Sequence, residues 1–215
     1  MKKTVALFDF DGVVVDTESQ YSLFWHRMGQ DYLGRDDLET VIKGQTLNFI
    51  YQTYFPSMEK VQEEITARLN VYEQEMRYDY VAGFLPFYEE LKRHSVQTAI
   101  VTSSNHLKME AAYACHAELR TMFDRIFTAE MFTRSKPAPD CYLLGMEVFE
   151  SSLAETFVFE DSINGLRAAH ASGACVIGLS TTFPAEEVQP YASVVIPDFT
   201  AFSYEQMLEL KPVGR

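Results

Sequence analysis

The stretch Thr4-Val5-Ala6-Leu7-Phe8-Asp9-Phe10-Asp11-Gly12 passes from apolar, β-branched residues straight into two carboxylates and a glycine. A short apolar run bounded by Asp and Gly reads as a buried β-strand. Residues two apart in a strand share a face, so Asp9 and Asp11 stand on one side of its end. Two carboxylates so placed can divide labour, one attacking phosphorus while the other moves a proton. Gly12 and Val13 must turn the chain out of the strand.

Beyond that turn the texture changes twice. From Thr17 to about Tyr80 the pattern is helical: Tyr21, Phe24, Trp25 and Met28 recur at helix spacing, as do Val61, Ile65, Leu69, Tyr72 and Met76. After Gly83 helices and strands alternate. Helices are expected over 85–94, 106–116, 139–150 and 163–172, and strands over 96–101, 125–128, 156–160, 175–179 and 193–196. Such alternation predicts an α/β fold, a doubly wound parallel sheet with helices on both faces. The expected division is a core of residues 1–16 and 81–215 with an inserted α-helical cap over 17–80. An insertion directly after the first strand sits over the carboxyl ends of the strands, the edge at which open α/β sheets bind ligands.

Four strand ends then face one crevice: Asp9-Phe10-Asp11, Thr102-Ser103-Ser104-Asn105, Ser135-Lys136-Pro137 before the helix near 139, and Glu160-Asp161-Ser162. Each alone has a plainer reading: a turn acid, a helix cap, a solvated lysine. Together they gather Asp9, Asp11, Glu160 and Asp161, which repel one another unless a cation is present. Oxygen-only ligands suit a hard cation such as Mg²⁺. Hydroxyls, backbone amides and Lys136 suit a phosphoryl group. The set points to metal-assisted phosphoryl transfer. Asn105 is a candidate substrate contact.

Composition narrows the partners. The chain has 215 residues, 18 Lys plus Arg against 31 Asp plus Glu, and a net charge of −13. That argues against a nucleic-acid backbone and against an anionic membrane surface as partners. No apolar run approaches the ~18 residues that span a bilayer. The apolar stretch behind Met1-Lys2-Lys3 is too short for a signal core, so a cytoplasmic protein is expected. Cys115, Cys141 and Cys175 are scattered and read as reduced, packed thiols. The five histidines show no metal spacing, and Phe49, Tyr51, Tyr54 and Phe55 read as cap core.

On these motifs the chain resembles the haloacid dehalogenase superfamily, over essentially its whole length. FDFDGVVVDTE (8–18), VTSS (101–104), SKPAPD (135–140) and FEDSINGLRAA (159–169) are similar to that family's four motifs, and the helical insertion looks like the cap of its β-phosphoglucomutase-like subgroup. The resemblance implies a Rossmann-like core and an aspartyl-phosphate mechanism. Asp9 would be the nucleophile and Asp11 the general acid and base. Thr102, the amide of Ser103 and Lys136 would hold the transferring phosphoryl. Asp9, Asp161 and the backbone carbonyl of Asp11 would ligate Mg²⁺, with Glu160 in or next to that set. Asp11 itself favours phosphoryl over haloacid chemistry, because true dehalogenases lack it.

The mutases of the subgroup carry a KGxSR segment whose arginine grips a distal phosphate. This chain has Lys43-Gly44-Gln45-Thr46-Leu47, with leucine in the arginine's place, and Tyr21 in place of a hinge histidine. Leucine cannot supply the bidentate fork a phosphate wants. Lys43 remains and could offer a point charge to substrate. The expectation is a Mg²⁺-dependent phosphatase, a monomer, acting on a small phosphorylated metabolite such as a sugar or polyol phosphate. The alternative is a β-phosphoglucomutase-type hexose phosphate mutase. A complete nucleophile and acid pair speaks against an idle module that only senses such a metabolite. The chain passes between core and cap near 14–18 and 79–83, and closure about those hinges would exclude water from the site.

Overall fold

The computed structural model describes residues 4–212. Residues 1–3, with the basic start read above, and 213–215 of the expected core lie outside that range. Six parallel strands form one sheet: β1 (Val5–Phe8), β2 (Gln97–Val101), β3 (Arg125–Phe127), β4 (Thr156–Glu160), β5 (Cys175–Leu179) and β6 (Val194–Ile196). Their order is β3-β2-β1-β4-β5-β6, so β1 lies at the centre, where the strand order reverses. Val5 pairs with Gln97 on one side and Thr156 on the other.

Strands covered on both faces need apolar residues at every position, not at alternate ones. All four residues of β1 are fully buried. Ala6 and Phe8 face α5 (Phe84–Arg93) and α6 (His106–Cys115), whereas Val5 and Leu7 face α8 (Asp140–Phe149) and α9 (Ile163–Ser172). The first face is aromatic: Phe8 stacks on Phe159 at 4.5 Å and meets Phe84 edge-on at 5.6 Å. On the second face, Cys141, Tyr142 and Met146 pack from α8.

Between β1 and α5 the chain forms four helices: Glu18–Leu33, Leu38–Val41, Leu47–Tyr54 and Glu59–Glu75. They enclose a third apolar cluster of their own, including Phe24, Met28, Leu38, Phe55 and Ile65. Two adjacent passes of chain join this insertion to the sheet. Asp16 N–H donates to Asp79 O at 2.8 Å, Val81 N–H donates to Val14 O at 3.1 Å, and Val15 bridges Tyr80. The insertion also touches the sheet domain at its far end, where Asn164 Nδ2 donates to Gly44 O at 2.7 Å.

Two packing expectations are corrected. Cys115 is exposed, because it ends α6 on its outer side, while Cys141 and Cys175 are buried. Phe49 is 43% exposed, at the first turn of its helix, whereas Phe55 is fully buried. Among the described residues no helix is long and apolar enough to cross a membrane.

Candidate active site

The carboxyl edge of the sheet begins with a sharp exit from β1. Gly12 has φ of 73°, a region closed to most side chains. Its N–H donates to Val15 O at 2.7 Å, and Val14 and Val15 both donate to Phe10 O, so the turn is locked by its own backbone. A Cβ on Gly12 would lie 2.0 Å from Asp161 Oδ2. Only glycine lets β1 and β4 bring their acidic ends this close.

Asp9 leaves β1 into that space. Its Oδ1 accepts from Lys136 Nζ at 2.7 Å, and the same ammonium donates to Glu160 Oε1 at 2.5 Å and Val101 O at 3.2 Å. Lys136 is 6% exposed. Burying an ammonium is tolerable only with this degree of pairing, and removing one partner of such a pair costs about 3–5 kcal/mol. Burial pushes the Asp9 carboxyl up to about 7 despite the pull of Lys136, with Glu160 and Asp11 adding to the rise.

Glu160 is fully buried and fully engaged. Oε1 also accepts from Tyr142 at 2.9 Å, and Oε2 accepts from the N–H groups of Asp161 and Ser162 at 2.9 and 3.0 Å. Gly165 leaves room for it, since a Cβ there would sit 1.7 Å from Oε1. Glu160 therefore fixes Lys136 and the start of α9. Asp161 is different. Thr182 donates to its Oδ2, but its Oδ1 is buried without a hydrogen-bond partner. Burial holds its carboxyl well above the usual range, with Glu160 and Asp9 reinforcing the shift.

A buried carboxylate oxygen without a donor costs about 1–3 kcal/mol or more, which a cation would remove. One oxygen each from Asp9, Glu160 and Asp161 lies within 4.8 Å of the others, an all-oxygen cluster that could hold a metal. The chemistry of that donor set fits a hard divalent ion.

Asp11 points towards α6. Its Oδ1 accepts from Thr17 Oγ1 at 2.6 Å, and its Oδ2 accepts from Ser104 Oγ at 3.0 Å and Lys108 Nζ at 2.5 Å. Burial alone would raise this carboxyl, but the Lys108 ammonium with Thr17 and Ser104 holds it below the ordinary carboxylate range. Lys108 is 5% exposed and lies 4.7 Å from the centre of the Tyr21 ring. Tyr21 in turn donates to Glu73 Oε1 at 2.7 Å, so the core and the insertion meet in a chain from Asp11 through Lys108 and Tyr21 to Glu73.

The other expected residues line the same cavity, which holds about 460 Å³. Thr102 is buried, and its hydroxyl accepts from Ser104 N–H at 2.9 Å. Ser103 lies beside it on the cavity wall. Asn105 lines the cavity but caps α6, its side chain accepting from Lys108 N–H at 2.9 Å. Lys43 enters from the insertion, 3.5 Å from Glu18 and 6.0 Å from the Phe183 ring centre. Leu47 lies on the wall from the insertion. His106 is outside the lining and pairs with Glu110.

Sequence reasoning missed Lys108, Glu73, Tyr142 and Thr182. Two of them carried a signal. Glu73 continues the Ile65, Leu69 spacing of a buried helix stripe, and Lys108 stands four residues before the buried Ala112. A charge on an apolar stripe demands a partner.

The chain is similar to known proteins over most of its length. A family model described as haloacid dehalogenase-like hydrolase matches residues 6–179. Validoxylamine A 7'-phosphate phosphatase of Streptomyces hygroscopicus subsp. limoneus is 26% identical, over 91% of this chain and 94% of that protein. The probable pseudouridine-5'-phosphatase of Drosophila melanogaster is 28% identical, over 95% and 94%. Another curated relative is far longer: a match of 100 residues at 32% identity covers 10% of it and 46% of this chain. Among solved structures, a hydrolase of family IA, variant 3, from Entamoeba histolytica superposes with a TM-score of 0.84 at 23% identity, covering 96% of this chain and 98% of that one. That likeness bears on the fold.

Proposed function

The chain belongs to the haloacid dehalogenase-like hydrolases, and from that premise we propose that it is a Mg²⁺-dependent phosphatase of a small phosphorylated metabolite, working through phosphorylated Asp9. The observation that carries this reading is the buried Lys136 ammonium between Asp9 and Glu160, next to the unpartnered oxygen of Asp161. The relatives above that carry the name phosphatase support it.

In this reaction a carboxylate oxygen of Asp9 attacks phosphorus and the bond from phosphorus to the leaving oxygen breaks. Asp11 gives that oxygen its proton, then takes one from the water that attacks phosphorus in the second step, which frees Asp9 and inorganic phosphate. Lys136, the Thr102 hydroxyl and the Ser103 amide hold the phosphoryl oxygens. Asp9, Asp161 and the Asp11 carbonyl would hold Mg²⁺, which would supply positive charge against the phosphoryl group. Glu160 positions Lys136. The helical insertion acts as a lid that keeps bulk water out.

The test is phosphate release by wild type and Asp9→Asn with Mg²⁺, with a coupled readout for glucose 6-phosphate formed from β-glucose 1-phosphate. Release by wild type and none above background by the folded variant is expected. Full activity of Asp9→Asn would overturn the reading, and isomer formation dependent on a bisphosphate primer would replace it with a mutase.

A further inference from the structure

The charge on the cavity wall bears on what the phosphate is attached to. Three lysines line the cavity, and no arginine does among the described residues. All three lysines are already neutralised. Lys136 lies between Asp9 and Glu160, Lys108 is 2.5 Å from Asp11, and Lys43 is 3.5 Å from Glu18. The insertion adds two further carboxylates to the same wall. Glu39 is backed by His26 at 3.2 Å, and Glu73 accepts from the Tyr21 hydroxyl.

The two ends of the cavity therefore differ. The sheet end has the cation cluster, Lys136 and the hydroxyls that suit a phosphoryl dianion. The insertion end has Glu39, the Trp25 and Leu47 side chains, and Lys43 paired with Glu18, while Glu73 stands nearer the sheet, joined to Asp11 through Tyr21 and Lys108. A second anionic group would face carboxylates with no cation on that wall, among the described residues, that is not already paired with one, a cost that grows as the dielectric falls. Hydroxyls would meet acceptors, and an ammonium would meet opposite charge.

We propose that the substrate is a phosphate monoester of an uncharged or amine-bearing alcohol, and that this insertion end rejects leaving groups with a carboxylate or a second phosphate. The proposal rests on the phosphatase reading above. It does not follow from that reading, since phosphatase chemistry at the sheet end is indifferent to charge at the far end.

The experiment is steady-state phosphate release by the full chain with Mg²⁺ on matched pairs. Glycerol 1-phosphate is set against 3-phosphoglycerate. Glucose 6-phosphate and glucosamine 6-phosphate are set against 6-phosphogluconate and glucose 1,6-bisphosphate. p-Nitrophenyl phosphate serves as the control for the chemistry, with Asp9→Asn beside it. The expected result is a kcat/KM at least tenfold higher for the neutral or amine-bearing member of each pair. Glu39→Gln should narrow that ratio several-fold, and a ratio it leaves untouched would tell against Glu39 as a source of the discrimination. Equal or better turnover of the carboxylate or bisphosphate members would overturn the proposal. So would cleavage of p-nitrophenyl phosphate with none of the neutral or amine-bearing esters accepted. No cleavage of p-nitrophenyl phosphate, or cleavage that survives Asp9→Asn, would instead sink the phosphatase reading.

Discussion

Lys108 is the residue on which the site depends most beyond those legible from the strand ends. Its ammonium is one of three donors on Asp11, and the other two are hydroxyls. With Lys108→Met, Asp11 loses the one positive charge that offsets its burial. Its carboxyl should rise from its lowered position, and its orientation should loosen. General acid catalysis is worth roughly 10²–10⁴-fold in rate, and a loosened acid forfeits part of that. The expected outcome for Lys108→Met is a kcat/KM on an alkyl phosphate reduced by about tenfold or more. p-Nitrophenyl phosphate, whose leaving group needs no proton, should lose much less. Equal losses on both substrates would mean that Lys108 serves the fold and not Asp11. Neither Lys108 nor Glu73 belongs to any strand-end pattern. They are brought to the site by helix faces, and which face of a helix turns inward is settled by packing that a linear pattern only suggests.

At the level of elements, the strands were the most readable part. A parallel strand buried on both faces leaves a dense apolar signature, so β1, β2, β4 and β5 fall within a residue or two of expectation. The short edge strands β3 and β6 carry weaker patterns and are three residues each. The start of α6 shows where local chemistry and function overlap. Thr102, Ser103, Ser104 and Asn105 could each cap a helix, and the structure gives that task to Asn105. Asn105→Ala should therefore cost about 1 kcal/mol of stability. Asn105→Asp, which keeps the accepting oxygen, should restore most of it. Chemical denaturation of the two variants decides the matter. A stable Asn105→Asp protein with impaired turnover would show that the Asn105 amide also meets the substrate, from its place on the cavity wall.

At the scale of the whole molecule, the insertion meets the sheet domain at two places beside the cavity, through Asn164 with Gly44 and through Lys108 with Tyr21. Parting of these contacts would widen the way in for a substrate as large as a sugar phosphate. Solution scattering of the protein with Mg²⁺ and a phosphate mimic should match the compact form described here, and removal of both should give a larger radius of gyration. An unchanged radius would mean a fixed cavity with another route of entry. The helical character of the chain between β1 and α5 was legible from the texture of residues 17–80. The contacts of that stretch at Gly44 and Tyr21 were not, because each joins residues more than 80 positions apart in the chain.

The two passes between insertion and sheet have a consequence for how such a protein can diversify. Val15 and Tyr80 are bridged neighbours, so the chain leaves the sheet domain and returns to it at almost the same point. The helices between them have an apolar cluster of their own. From the standpoint of the sheet domain, the whole excursion is one long loop closed by a single β-bridge, and lengthening a loop adds little entropy cost. A graft that replaces residues 18–77 with another self-contained segment would leave Asp9, Asp11 with its Thr17 partner, Lys136 and Asp161 in the unaltered sheet domain. Recombination at this seam would exchange the wall that meets the leaving group while the phosphoryl chemistry is inherited intact.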